Sequence, residues 1–522
     1  MNETSKAITQ QILSRRNIIK GSTALAGGLA LAPAFSSATR VAANQTPASG
    51  APTGELVVSL PARIVALDAL GAQGAEESTR VAAAHIFDTL VIRDEETGEY
   101  LPSLATGWET PEPTSWIFTL RDDAIFHDGT PVGAADVVAS LEYLLEAKGP
   151  LAPLWAALDT IEAQDDLTVH IQTTTPLGTI LANVALLSVA PAAKINEEGF
   201  FNQPIGSGPF RVESYKPDQE LVLEATSDYW GGAPGVQTLR FRDIPEISAR
   251  VTALTTGEID FTYQLPPDQL TDLAGNADLT ITSKPSYRYY FIWLNAQTEA
   301  FSDVRVRQAM IHALDIPTIS DALMQDSAEL MDAPIPSTIF GYAPQTPYAY
   351  DPEKAKELLA EAGYEGGLET DMIWAPGSSP QDREIAQAMF SYWDAVGIKV
   401  TDRQSERAQW LDDLLALNWE MDFQTNGVVT GDADFVLRRL YHSSANRTGY
   451  ANPDLDKLLD DAAASVDQEE RKSLYADACK LIWDEAVGIY PFTLVQSFIA
   501  RNNVQGFTPT ASYPVFNKVT VE

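Results

Sequence analysis

From Glu55 onward, short apolar runs alternate with longer segments whose apolar residues recur every three or four positions. "ELVVSL" and "SWIFTLR" read as strands, and "GAADVVASLEYLLEA" as a helix that buries Val137, Val138, Leu141, Leu144 and Leu145. In "DPEKAKELLAEAGY" the local signals agree. Asp351 caps, Pro352 suits the first turn, Ala355, Leu358, Leu359 and Ala362 share a face, and Gly363 ends the helix. "ETDMIWA", "QDREIAQAMFSYWDAVG" and "IKVTDR" repeat the order strand, helix, strand, which predicts an α/β chain. No fixed-period repeat points to a propeller or solenoid.

One stretch departs from this alternation. In "RVESYKPDQELVLEA" two alternating runs flank Lys216-Pro217-Asp218, the composition of a hairpin turn. This hairpin decides how the preceding "PIGSGPFRV" is read. A phosphate-cradling loop needs its glycines between a strand and a helix start, so that helix amides face the anion. Here Pro209 removes an amide, no Lys-Ser or Lys-Thr pair follows, and a hairpin comes next. Gly206 and Gly208 are therefore expected to let the backbone turn where the chain passes between domains.

A chain of 522 residues, 45% hydrophobic and 9% aromatic, is long and apolar enough for several cored domains. Its 35 basic residues against 72 acidic ones give a net charge of −37, which opposes nucleic-acid or anionic-membrane partners. Residues 1–43 read as an export signal: Arg15, Arg16 and Lys20 form a basic head, a Gly/Ala-rich apolar segment follows, and Ala32-Pro33-Ala34 offers a cleavage site. "SRRNIIK" is similar to a twin-arginine signal, which implies export in the folded state and a periplasmic or extracellular location. Residues 44–54 form a small-residue linker. Cys479 is the single cysteine, so no internal disulfide forms, and none stands behind the signal for a lipid anchor.

Several motifs in a fixed order resemble the family 5 extracellular solute-binding proteins, the peptide and nickel receptor group of ABC importers. They are "PSLATGWETPEPTSWIFTLRDDAIFHDGTPVGAADVVASLEYL", "IGSGPFRV", "SDYWGGAPGVQTLRFRDIPEISARVTALTTGEIDF", "FIWLNAQTEAFSDVRVRQAMIHALD" and "YDPEKAKELLAEAGY". The resemblance implies a bilobal periplasmic-binding-protein-like fold with an additional domain inserted in the first lobe. On that pattern residues 55–83, 205–285 and 491–522 form the first lobe (domain I), 84–204 the insert packed on it (domain II), and 286–490 the second lobe (domain III). It further implies a monomer that captures a peptide or similar small polar solute by hinge closure and delivers it to a permease with ATPase subunits. No cofactor, resident metal or covalent chemistry is required.

Scaffold explains the most recognisable motif residues. His127, Asp128 and Gly129 sit in a turn before a helix, Asp228, Tyr229 and Trp230 in a packed corner, and Asp303, Arg305 and Arg307 at a helix start. The best pocket candidate is "DFQTNGVVTGDADFVLRRL", read as a strand near residues 419–424, a glycine-containing loop and a helix from about Phe435. It supplies Asn426, Asp432 and Asp434. In peptide-binding relatives an aspartate of the corresponding loop holds the ligand's α-amino group. Aligned on "GDAD", however, this sequence has Val429 where that acid often lies, and Asp434 can equally cap the helix. Trp374, Tyr263, and Trp293 with Asn295 are aromatic and polar wall candidates, with core packing as the competing reading. The five histidines show no ligand spacing. Two other functions compete: a secreted hydrolase using paired carboxylates, though no Gly-x-Ser-x-Gly elbow occurs, and assistance to folding of extended chains. Among solutes, peptides, oligosaccharides, opine-like compounds and metal chelates stay open.

Overall fold

A computed structural model describes residues 51–377 and 381–522; the export signal and most of the linker expected above lie outside the described residues. Strands are numbered in chain order. The first lobe is built on β1 (Glu55–Ser59), which pairs in parallel with β10 (Thr238–Arg242) and β11 (Phe261–Tyr263). The predicted hairpin is β8 (Phe210–Lys216) and β9 (Glu220–Ala225), antiparallel, with Asp218 in the left-handed region at φ 59°. It extends the sheet beyond β10.

Between β1 and β8 lies the insert, whose sheet is β4 (Ala105–Glu112), β5 (Ser115–Leu120), β7 (Thr168–Thr173) and β6 (Leu158–Ala163) in that order. The Ala134–Ala147 helix buries Val137, Leu141 and Leu144, whereas Val138 and Leu145 are only half-buried, flanking the contact stripe. A small hairpin, β2 (Val91–Arg93) and β3 (Tyr100–Pro102), projects from the insert.

The motif residues of the sequence meet where insert and first lobe join. Gly206 and Gly208 pass so close to the end of the Glu77–Ile86 helix that a Cβ on either would run into the backbone of Ile86. His127 locks this passage: its backbone N–H donates to the Gly206 carbonyl at 2.8 Å, and its Nε2 lies 2.9 Å from the Gly208 carbonyl. Ser207 Oγ, Tyr229 Oη and Trp230 Nε1 all donate to buried Asp88, at 2.9, 2.7 and 3.0 Å. Burial pushes that carboxyl up to about 6 despite the three donors.

The second lobe is doubly wound. β14 (Leu368–Trp374) pairs in parallel with β15 (Ile398–Gln404) and with β16 (Met421–Gly427). Helices Asp382–Asp394 and Arg407–Leu415 make the crossovers. The Pro352–Glu361 helix starts as the sequence predicts, with the Asp351 carboxylate accepting from the Lys354 N–H at 2.9 Å. Ala355, Leu358 and Leu359 are buried, and Gly363 sits at φ 92° beyond the end. Strand β16 begins at Met421 rather than Trp419, and the next helix, Ala433–Tyr441, begins two residues before Phe435. The reason is that Asp432, not Asp434, is the cap: its Oδ1 accepts from the Asp434 N–H at 3.0 Å.

Two long strands connect the lobes. β12 (Leu279–Leu294) and β18 (Phe492–Arg501) run antiparallel, paired in register from Leu279↔Arg501 to Pro285↔Val495. Their register then breaks between Pro285 and Tyr289. Beyond the break β12 pairs with β16 and with the short β17 (Gly488–Ile489). Buried apolar residues divide at much the same place. One core joins the first lobe to the insert and takes Phe498, Val504, Phe516 and Val519 from the chain's end, and two others fill the second lobe from Tyr287 onward. Among the described residues no helix is long and apolar enough to cross a membrane.

Candidate functional site

Parallel α/β sheets present their loops, and hence their ligands, at the carboxyl ends of the strands. In the first lobe that edge holds Tyr263 and Gln264 at the end of β11, and in the second it holds Asn426 and Gly427 at the end of β16. β12 brings the two edges together, because Arg288, beside its register break, pairs with Gly427.

On the first-lobe side Tyr263 is buried, stacks on Phe498 with centroids 5.8 Å apart, and donates from Oη to Glu77 Oε1 at 2.6 Å. Glu77 opens the Glu77–Ile86 helix, so its carboxylate also lies in the favourable field of a helix N-terminus. Gln264 donates from Nε2 to Glu77 Oε1 at 3.3 Å and to Gln496 Oε1 at 2.9 Å. Burial raises the Glu77 carboxyl, while the Tyr263 hydroxyl and the charge of Arg288 from the second lobe pull it back. Gln264 itself is left-handed at φ 54°, a conformation that costs a non-glycine residue about 1–2 kcal/mol.

On the second-lobe side Asp432 is fully committed to its own lobe. Its carboxylate forms a fork with Arg471, Oδ1 to Nη2 at 2.9 Å and Oδ2 to Nη1 at 3.0 Å, with both side chains at most 1% exposed. The Arg471 guanidinium lies over the Phe340 ring at 4.9 Å. Asp434 is half-buried and accepts from Tyr475 Oη at 3.3 Å. Burial, and then the neighbouring charge of Asp432, push its carboxyl up to about 6. Asn426 sits beside the Tyr289 hydroxyl, and its Oδ1 accepts from Arg439 Nη2 at 3.4 Å.

The remaining candidates lie elsewhere. Trp374 ends β14 but turns its ring inward on Phe423, its Nε1 donating to Asp402 Oδ1 at 2.8 Å. Trp293 donates from Nε1 to Tyr441 Oη at 3.1 Å and packs in the second-lobe core. Asn295 donates from Nδ2 to the Trp419 carbonyl at 2.8 Å and accepts from the Gln297 N–H. Both stand at the far end of β12, five to seven residues beyond Arg288, a rise of roughly 17–23 Å.

The hairpin β2–β3 of the insert reaches this region too. Arg93 donates to the Tyr287 hydroxyl and, at 3.3 Å, to the Thr338 carbonyl. A Cβ on Gly431, which is left-handed at φ 66°, would approach that guanidinium to 2.9 Å. Glu95 accepts from the Ala511 N–H at 2.8 Å and from Ser512 Oγ at 2.5 Å, and its carbonyl accepts from Lys284 Nζ at 3.0 Å. Glu77, Arg288, Gln496 and Arg93 were not among the residues expected to matter. The available signals were the Glu76-Glu77 pair opening a helix after β1 and the lone cation inside the aromatic run "SYRYYF".

Among the described residues no group of three or more His, Cys, Asp and Glu side chains is arranged to hold a metal. The polar groups from two lobes instead converge on hydrogen bonding and charge. The description "Bacterial extracellular solute-binding proteins, family 5 Middle" matches residues 99–448. The glutathione-binding protein GsiB of Pectobacterium atrosepticum is 30% identical over 385 residues, 70% of this chain and 74% of that one. The structure of HbpA2 from Haemophilus parasuis superimposes with a TM-score of 0.82 at 25% identity, covering 90% of this chain and all of that one. The periplasmic binding protein DppA from Helicobacter pylori, in complex with the peptide STSA, superimposes with a TM-score of 0.73 at 26% identity, covering 90% and 99%.

Proposed function

The chain belongs to the family 5 bacterial extracellular solute-binding proteins, and from that premise we propose that it is a receptor that captures a peptide or similar small polar solute by lobe closure. Family members serve ABC importers outside the cytoplasm, as binding proteins and not as enzymes. The observation that carries the finer reading is the meeting of two sheet edges. Tyr263, Gln264 and Glu77 from the first lobe face Arg288, whose charge reaches Glu77, and Asn426 from the second, beside the paired strands β12 and β18.

Closure would turn on the register break of β12 and on residues 490–491 before β18, where few ladder bonds resist a change in φ and ψ. A solute that touches both edges favours the closed state by its differential affinity, and the permease then takes up the closed form. Asp434 and Asn426 are proposed ligand neighbours from the second-lobe loop, with Tyr263 shaping the floor through Glu77. Trp374, Trp293 and Asn295 act through the core, and Asp432 through Arg471. The receptor works as a monomer and leaves its solute chemically unchanged.

The direct test is to purify the exported protein without refolding, denature it, and identify what it releases by mass spectrometry. A defined small solute at near-stoichiometric amount is expected. Release of nothing from several growth media, together with no thermal shift from any solute class, would refute the reading. A true solute at a hundred times its Kd stabilises by about 2.7 kcal/mol.

A further inference from the structure

Resting on the receptor reading above, we propose that the solute presents a primary ammonium with an acyl oxygen beside it, the amino end of a peptide. It docks on the first lobe, with Glu77 receiving the ammonium and Gln496 the oxygen.

Neither acid of the second-lobe loop is a comparable acceptor. Both Asp432 oxygens are taken by Arg471, and the same carboxylate caps the Ala433–Tyr441 helix. Drawing it toward a ligand would strand a buried guanidinium. Asp434 stands beside that charge and holds the Tyr475 hydroxyl, so it presents a carboxyl whose ionisation is opposed by its neighbour. Glu77 is forked to no guanidinium, and no neighbouring acid opposes its ionisation. Its two close donors, Tyr263 Oη at 2.6 Å and Gln264 Nε2 at 3.3 Å, converge on Oε1. Among the described residues Oε2 has only the 3.5 Å contact from the same amide. A carboxylate has about four lone-pair sites, so Oε2 retains capacity for an ammonium.

The neighbouring amide supplies the second half of the recognition. Gln496 is 3% exposed, and its Oε1 accepts from Gln264 Nε2 at 2.9 Å, which fixes which way the amide points. Its Nε2 is buried and has no acceptor among the described residues. A buried donor of this kind calls for an oxygen. One amide, that of Gln264, thus ties an acceptor with spare capacity to a donor without a partner, and holds the two at a fixed short spacing. An α-ammonium and its adjoining carbonyl have the complementary order, donor then acceptor. The left-handed backbone of Gln264, directly after β11, is the local strain expected where a side chain must be held for binding. The charge of Arg288, from the second lobe, favours the ionised form of Glu77 against its burial and disfavours a second cation on the solute.

The test uses the full exported chain with a mixed-sequence tripeptide pool and the same pool N-acetylated, each read by native mass spectrometry and calorimetry. The wild type should retain the free-amine pool at least about tenfold more tightly, the worth of one charge-assisted hydrogen bond. Glu77→Gln should lose that affinity and the preference with it, and Asp434→Asn should keep the preference for the free amine. Gln496→Met should weaken retention about tenfold while the preference for a free amine survives, so the proposal is tested even if one variant folds poorly. Equal retention of both pools by the wild type, retention of neither, or a free-amine preference that persists in Glu77→Gln overturns it. Failure of the receptor reading looks different, since then no solute of any class is released from natively purified protein.

Discussion

Asp432 shows how far a single residue's role depends on its third-dimension neighbour. In sequence it is an acid in a glycine-containing loop, the natural place to seek an ammonium-binding group. In the fold, Arg471, thirty-nine positions away, occupies it with two parallel hydrogen bonds. Spacing along the chain carries no trace of that partnership. Asp432→Asn should therefore destabilise the protein by about 3–5 kcal/mol in denaturant unfolding, because it leaves Arg471 buried and unpaired. Asp434→Asn should stay within about 1 kcal/mol. A second buried acid sets a pH dependence. Asp422 is wholly buried and accepts from Trp410 Nε1 at 2.8 Å and from Gln424, yet burial pushes it up from 3.8 to about 7. The native state thus holds this proton when the unfolded chain has released it. Its contribution to stability is complete below about pH 4 and is lost as pH rises through 7, at about 1.4 kcal/mol per unit. Thermal melts of Asp422→Asn between pH 4.5 and 7.5 should decline less steeply than those of the wild type. An unchanged slope would contradict the assignment.

Elements were the most legible scale. The Pro352–Glu361 helix carries its cap, first-turn proline, apolar stripe and terminal glycine in sequence, and each occupies the expected place. The β8–β9 hairpin and the scaffold reading of "IGSG" follow equally from local chemistry, since turn residues and backbone crowding act over a few positions. Legibility ended where an element's job is set by a distant one. Nothing local marks Glu77 as the partner of Tyr263 and Gln264, or tells that β2–β3 reaches the second lobe. Trp374 and Trp293 illustrate the converse, aromatic residues at strand ends whose rings satisfy the core. The β2–β3 hairpin invites its own prediction. Arg93 bridges the insert to Tyr287 and Thr338, contacts that the proposed lobe opening would break. Arg93→Ala should speed release of the co-purifying solute by about tenfold in a displacement experiment, with little change in its association rate. A change confined to association would argue against a bridging role.

At the scale of the molecule, two lobes share a pair of connecting strands and few core residues. The cores of the first lobe with its insert and of the second lobe are separate, and the register of β12 on β18 shifts where they part. An acidic surface of this size, −37 over the chain, keeps such a protein soluble and weakly self-associating. Cys479 adds no redox switch, since burial pushes its thiol up to about 12. Closure around an unaltered solute is tested most directly by small-angle X-ray scattering on solute-free protein, with and without saturating amounts of the solute recovered from native purification, followed by mass analysis of that solute. A smaller radius of gyration on binding, with the solute recovered intact, is the predicted result. An identical radius at saturation, or a solute steadily converted to another compound, would contradict it.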